Sequence, residues 1–267
     1  MTSPPLDFSA TEKPVQVQEN LMEYYRLFAP LPGMVMVDDA ESFWFVGRKP
    51  EPDNIVLHTR WSVEGCEERI DQRIAQIGLH TDQIDWMVFP GDSPSDLNER
   101  LEKRGMPSGR GGNWLWTDLT SPGPIPSVPR GFHIEQVHDD QRMLAWVRAS
   151  EAGFGAELRC YYDAYARHGY GPKAHSFHFI GYLENTPVTS GTVLEAGGCA
   201  SIYDLSTPSV YRRQGWASCL MVALMREIRN RGYSDTWIWS SKMAKSLYQK
   251  LGYVDADFGL REHGWRK

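Results

Sequence analysis

Cysteine is scarce and unpatterned. The 267 residues hold four, at positions 66, 160, 199 and 219, with no CxxC or CxH spacing. A tetrahedral zinc site or a disulfide framework needs such spacing, so neither a metal nor a disulfide is expected, and the thiols read as those of a cytoplasmic protein. Long apolar runs are missing too. No stretch approaches the ~20 residues that span a bilayer. The opening MTSPPLDFSA carries prolines and an acid in place of the apolar segment of a secretory signal. An excess of positive charge is also absent: Lys plus Arg is 28, Asp plus Glu 34, net −6. That balance argues against a general nucleic-acid binder.

What is present is ordinary material for a buried core. Apolar residues make up 41% and charged residues 23%, and the length suits one large domain or two small ones. The charge is uneven. Residues 1–130 carry 20 acidic and 12 basic side chains, and residues 131–267 carry 14 and 16. Five arginines (212, 213, 226, 229 and 231) stand against Glu227 alone between Val210 and Arg231. An anionic ligand would be drawn there first. The clearest seam is SPGPIPSVPR, Ser121–Arg130, whose four prolines preclude a helix. We therefore expect domains over 1–120 and 131–267, joined by a linker over 121–130.

The second half alternates strand and helix signals. Strands are expected at Gly131–Val137, Ser176–Leu183, Val188–Glu195, Ala200–Ser206, Thr236–Ser240 and Tyr253–Phe258, where β-branched and aromatic residues gather between turn signals. Helices are expected at Asp139–Glu151, capped by Asp139 or Asp140, at Glu157–Arg167, and at Gln214–Arg231. In the last, Ala217, Leu220, Met221, Leu224 and Ile228 line one face. The first half repeats this order weakly. Its final segment, Leu97, Leu101 and Gly105-Met106, has the spacing of Ala244, Tyr248 and Gly252-Tyr253, which points to an internal duplication.

The stretch that carries chemistry runs from Leu205 to Ala217, LSTPSVYRRQGWA. A strand ends, a basic turn follows, and a helix opens at Gln214–Gly215. A helix start exposes free N–H groups and the positive end of the dipole, both suited to phosphate. Gly215 lets a ligand approach the backbone, Ala217 keeps the next turn small, and Arg212 and Arg213 add charge. A pyrophosphate-sized anion fits this description.

Arg212-x-x-Gly215-x-Ala217 after a strand and before a helix resembles the acyl-CoA pyrophosphate loop of the GNAT superfamily of N-acetyltransferases. Ala244-x-x-Leu247-Tyr248-x-x-Leu251-Gly252-Tyr253 is similar to that family's closing helix and strand. The resemblance covers residues 131–267 with two motifs in register. It implies an α/β fold, a mixed and mostly antiparallel sheet flanked by helices, here in two tandem copies. It further implies acetyl-CoA as co-substrate. Leu205, Ser206 and Thr207 would pair with pantetheine. Arg212 and the backbone of Arg213, Gln214, Gly215, Trp216, Ala217 and Ser218 would hold the pyrophosphate. Ser241 stands where the family often has an asparagine. Tyr248 matches the tyrosine that protonates the leaving thiolate. For the base that takes the ammonium proton, Asp204 comes first and Glu195 second. His175 and His178 read better as structural histidines.

The first half has no such loop after its strand at Ile55–His58, and Leu101 stands where the tyrosine would be. It reads as a degenerate copy that serves packing or one wall of a substrate cleft. The expected activity is transfer of an acetyl group to a primary amine of a small molecule or peptide by direct attack in a ternary complex. The alternative is an acyl-CoA-binding sensor or interaction module without turnover.

Overall fold

Apolar periodicity and glycine stops set the elements. A computed structural model describes residues 4–47, 54–109, 112–121, 123, 126–171 and 173–267. In chain order the first half holds β1 (Leu6–Asp7), α1 (Lys13–Arg26), β2 (Val35–Asp38), β3 (Ser42–Val46), β4 (Ile55–Thr59), α2 (Cys66–Ile77), β5 (Gln83–Val88), α3 (Leu97–Lys103), β6 (Ser108–Gly109) and β7 (Asn113–Asp118). The second half holds β8 (Phe132–Gln136), α4 (Asp140–Phe154), α5 (Arg159–His168), β9 (Ser176–Leu183), β10 (Thr186–Ala196), β11 (Cys199–Ser206), α6 (Trp216–Asn230), β12 (Asp235–Ser240), α7 (Lys245–Lys250), β13 (Val254–Asp257) and β14 (Arg261–Arg266). Asp139 caps α4 as expected, its side chain accepting from the Arg142 amide at 2.8 Å.

The chain forms two compact units, Met1–Trp114 with Ala256–Lys267, and Leu115–Asp255. These boundaries differ from the expected ones. They fall within β7 and β13, not in the proline-rich stretch, of which Pro122 and Pro124 lie outside the described residues. The reason is strand exchange, which proline content does not reveal.

Within the first unit the strand order is β2-β3-β4-β5-β14-β6. β2, β3 and β4 form an antiparallel meander, β5 runs parallel to β4, and β14, from the end of the chain, lies antiparallel to β5 with His263 opposite Trp86. Trp44, Val56, Ile70, Trp86, Leu97 and Leu101 fill its core.

Within the second unit the order is β8-β9-β10-β11-β12-β7-β13. β8 to β11 are an antiparallel meander, β12 is parallel to β11, and β7, from the first half, is antiparallel to β13. The first sheet thus takes β14 from the second half of the sequence, and the second takes β7 from the first. Leu220, Met221, Leu224 and Ile228 of α6 are fully buried among Phe177, Phe179, Val193, Ile202 and Ile238. At ~2 kcal/mol for each such side chain, this face fixes α6 against the sheet and so places its N-terminus at the end of β11.

Candidate functional site

The turn from β11 into α6 is exposed from Arg212 to Gly215. Two residues in it are left-handed, Arg213 with φ 62° and Gly215 with φ 91°. A Cβ at Gly215 would meet nothing within 4 Å. The left-handed backbone, not crowding, is what calls for glycine. α6 begins with no side-chain cap and no acidic residue in its first turn. Among the described residues, the amides of Arg213 through Ser218 donate to no acceptor. Six unengaged N–H groups at the positive end of a helix suit an anion.

Side chains around this turn differ from the sequence expectation in one respect. Arg212 is not a free charge. Its guanidinium donates to the Thr207 carbonyl at 2.9 Å and the Gly153 carbonyl at 2.8 Å. It ties the turn to the last residues of α4, where carbonyls welcome a cation. Among the described residues Arg213 forms no ion pair and remains the exposed cation of the turn. Trp216 is buried, its ring 5.1 Å from that of Phe132. It anchors the helix start and offers only its amide.

Upstream, β11 is stitched to β12 where the two strands begin. Ser201 Oγ donates to the Trp237 carbonyl at 2.6 Å, and Thr236 Oγ1 to the Ala200 carbonyl at 2.8 Å. The ladder places Ser201 opposite Trp237. Leu205, Ser206 and Thr207 lie beyond it. On the other side Thr189 Oγ1 donates to the Ser206 carbonyl at 2.7 Å, holding this end of β11 to β10.

Asp204 sits at a bulge. Ser190 pairs with Ser206 and Thr192 with Tyr203, so Asp204 and Leu205 together oppose Gly191. Asp204 takes φ 53°, a left-handed conformation that aspartate tolerates better than most residues. Its Oδ2 accepts a hydrogen bond from Tyr165 on α5 at 2.5 Å. Tyr165 carried no signal in the sequence beyond its place on the apolar face of a helix. It is fully buried, its ring 4.1 Å from His178 and edge-on to Trp146. Burial, with Asp204 beside it, holds the Tyr165 hydroxyl well above the usual phenol range.

The remaining candidates separate. Glu195 is at the hairpin end of β10, ion-paired with Arg231 at 3.5 Å, at the opposite end of α6 from Gly215. It is not brought to Asp204, because alternate base candidates on adjacent strands share a site only when register aligns them. Tyr248 is 6% exposed in the core of the second unit, and burial pushes its hydroxyl up to about 12. Ser241 opens the turn into α7, its Oγ accepting from the Ala244 amide at 3.3 Å. Its side chain is exposed. His178 is fully buried on β9, and burial lowers it to about 3. Structural duty is thus the reading its surroundings favour.

Comparison with known proteins bears on this geometry. Residues 160–266 match the acetyltransferase (GNAT) domain family. This stretch is similar to a GNAT domain. No curated protein matches the chain at significant similarity. Solved structures share the fold across nearly the whole length. A GCN5-related N-acetyltransferase from Kribbella flavida is 12% identical, with TM-score 0.65, covering 93% of this chain and 95% of that one. A tandem GNAT protein from the clavulanic acid biosynthesis pathway is 11% identical, TM-score 0.59, covering 97% and 96%. A GCN5-related N-acetyltransferase from Sphaerobacter thermophilus is 16% identical, TM-score 0.58, covering 86% and 82%. The tandem match agrees with the two sheets of like plan. No helix among the described residues is long and apolar enough to cross a membrane.

Proposed function

We propose that the protein transfers the acetyl group of acetyl-CoA to a primary amine, by direct attack within a ternary complex formed on the second unit. The observation that carries this reading is the helix start of α6, with the amides of Arg213–Ser218 unengaged and Gly215 open to solvent space. Those amides are the part that would hold the pyrophosphate, with Arg213 adding charge and Arg212 keeping the turn in shape. Leu205, Ser206 and Thr207, past the β11/β12 ladder, are the edge that would pair with pantetheine. A neutral or anionic acceptor gains nothing from Asp204, whereas a cationic amine does. Asp204 would take one proton as the ammonium becomes a nucleophilic amine. The amine nitrogen then bonds to the thioester carbon, the C–S bond breaks, the sulfur takes the Tyr248 proton, and the second proton shed by the nitrogen restores Tyr248, while Asp204 returns its proton to solvent on product release. A hydroxyl held near 12 stays protonated at neutral pH and so remains able to give that proton. Proximity supplies the rest.

The test is thiol release from acetyl-CoA across a panel of a polyamine, an aminoglycoside and a basic peptide, with mass detection of the acetylated product. Asp204→Asn should lower turnover on the order of 10²-fold or more and leave acetyl-CoA affinity within about twofold. Tight acetyl-CoA binding with no thiol release for any acceptor would favour the sensor reading instead. Unchanged turnover in the Asn variant would remove Asp204 as base.

A further inference from the structure

Behind Asp204 lies a run of buried polar groups that the mechanism above does not use. Tyr165 donates to Asp204 Oδ2. Thr192 on β10 adjoins the Tyr165 hydroxyl in turn. His178 Nδ1 lies 2.9 Å from Thr192 Oγ1. Thr192 and His178 are 1% exposed and Tyr165 is 0% exposed. The run crosses three elements, α5, β10 and β9, and ends on the bulge of β11.

Counting protons fixes its direction. A carboxylate only accepts, so the single Tyr165 proton goes to Asp204. Tyr165 oxygen then accepts, so the single Thr192 proton goes to Tyr165. Thr192 oxygen must in turn accept, so His178 carries its proton on Nδ1 and leaves Nε2 bare. The run ends at this ring. His178 Nε2 is buried with no hydrogen-bond partner among the described residues. A bare nitrogen sealed from solvent has no proton to pass on and no route to obtain one. The run is therefore not a proton relay. It is a row of aligned dipoles whose donors all point toward Asp204. Such rows polarise cooperatively and favour the charged form of the terminal acceptor.

We propose that Tyr165 is a positioning residue, which, with Thr192 and His178 behind it, holds the Asp204 carboxylate ionised and fixed at the left-handed bulge of β11. This deepens the reading of Asp204 as base and rests on it. It also accounts for the placement of an acid in a strained backbone position. The hydrogen bond from α5 restrains a side chain whose main chain is displaced from the ladder by the bulge. The titratable groups facing Asp204 are Tyr165 from α5 and Tyr203 beside it on β11. Tyr161 on α5 and His178 on β9 stand behind Tyr165, and His168 on α5 behind His178.

The experiment uses the full chain labelled with carbon-13 at aspartate side chains. The Asp204 resonance is identified by its loss in Asp204→Asn and followed against pH. Tyr165→Phe keeps the ring and deletes the donor. Its Asp204 midpoint should rise by about one pH unit, and the acidic limb of turnover with the best amine of the panel should move up with it. Thr192→Val removes the second link and should raise the midpoint in the same direction by less, which keeps the test alive should the Phe variant fail to fold. A merely structural Tyr165 would change stability and leave both pH curves in place. Unmoved midpoints in Tyr165→Phe, or in Thr192→Val where the Phe variant does not fold, would overturn the proposal. A raised midpoint together with full turnover in Asp204→Asn would keep the dipole row and sink the base reading, so the two fail separately.

Discussion

The two units carry the same turn twice, once open and once closed. In the first unit β4 leads through residues 60–65 into α2, which begins at a left-handed glycine, Gly65 with φ 72°. In the second, β11 leads into α6 at Gly215 with φ 91°. Backbone shape at the helix start is therefore common to both, and cannot by itself make a cofactor site. The differences lie on either side of it. β4 stays joined to the segment after β5. Trp61 donates its amide to the Ser93 carbonyl at 3.1 Å, and the Ser93 amide donates to the Thr59 carbonyl at 2.9 Å. The buried carboxylate of Asp92 accepts from the amides of Thr59 and Phe89 and from Gln18 Nε2. These bonds tie the end of β4 to the segment after its neighbour β5, whereas the Ser206 and Thr207 carbonyls are held by Thr189 and Arg212. α2 also places Glu67 and Glu68 in its first turn, where α6 has no acid. Acids in the first turn complement the positive helix end and disfavour a phosphate there, with Glu67 itself paired with Arg100 and Arg104.

Glycine-to-glutamate substitution at the two helix starts tests that contrast most strongly. Gly215→Glu puts a charge and a side chain into the anion approach and forces a non-glycine residue to φ 91°. Acetyl-CoA affinity by calorimetry should fall by at least about 100-fold, with circular dichroism retained. Gly65→Glu should leave acetyl-CoA affinity within about twofold and lower stability by ~1–2 kcal/mol. Equal losses of affinity in both variants would end the assignment of the cofactor to one unit.

How far this contrast was legible beforehand follows from what each kind of signal encodes. The loop at Arg212–Ala217 was readable because glycine, small residues and a helix start report directly on backbone geometry. Most strands and helices were readable from periodicity, and Ser176–Leu183 falls on its expected bounds. β14 was not, because Arg261–Arg266 mixes charge with a glycine and draws its stability from long-range partners. His263, fully buried, meets the Met106 carbonyl and Asn98 through its two ring nitrogens. The exchange of β7 and β14 was hidden for the same reason. At the site, Asp204 was placed on the right strand, but its bulge depends on register against β10. Tyr165 was invisible since a tyrosine on an apolar helix face looks like core until the partner across the sheet is known. Arg212 read as a ligand charge when its geometry ties it to two carbonyls.

The closed turn can be weakened without touching the open one. Asp92→Ala strands two backbone amides in a buried place and removes one of the two acceptors of Gln18 Nε2, so chemical denaturation should show a loss of ~3 kcal/mol. Hydrogen exchange at Trp61 and Ser93 should quicken, while acetyl-CoA affinity stays as it was. In the unaltered protein those two amides should exchange far more slowly than those of Arg213–Ser218. A stability change below ~0.5 kcal/mol would show that the carboxylate does not keep the first unit closed.

Acid tests the second unit instead. His178 is held neutral by burial, with its ionisation lowered to about 3 from an ordinary 6.5. The unfolded chain therefore binds a proton that the folded chain refuses between those values. Stability from this group is complete above about pH 6.5 and falls as pH drops toward 3. The loss is on the order of a few kcal/mol. His178→Phe should flatten the stability curve across that window in denaturation measured from pH 7 to pH 4. An equally steep curve in the Phe variant would assign the acid sensitivity to other groups.

Tyr248→Phe asks for the smallest effect and the finest distinction between the units, since the first has Leu101 at the corresponding place. The ring of Tyr248 packs in the core beside Tyr253, at 5.8 Å between centroids, and phenylalanine keeps that packing. Only the hydroxyl goes. General acids commonly contribute 10²–10⁴-fold, but a thiolate leaves tolerably well without one, so a loss of about tenfold in kcat is expected here, with acetyl-CoA affinity within about twofold. A second readout follows from the raised hydroxyl. The folded chain keeps its Tyr248 proton up to about pH 12, where the unfolded chain loses it near 10. Stability from this group is present below pH 10 and declines between 10 and 12. The Phe variant should decline less over that interval. Unchanged kcat alongside the altered alkaline stability would make Tyr248 a core residue, in step with Leu101, and would leave positioning and the Asp204 carboxylate as the source of catalysis.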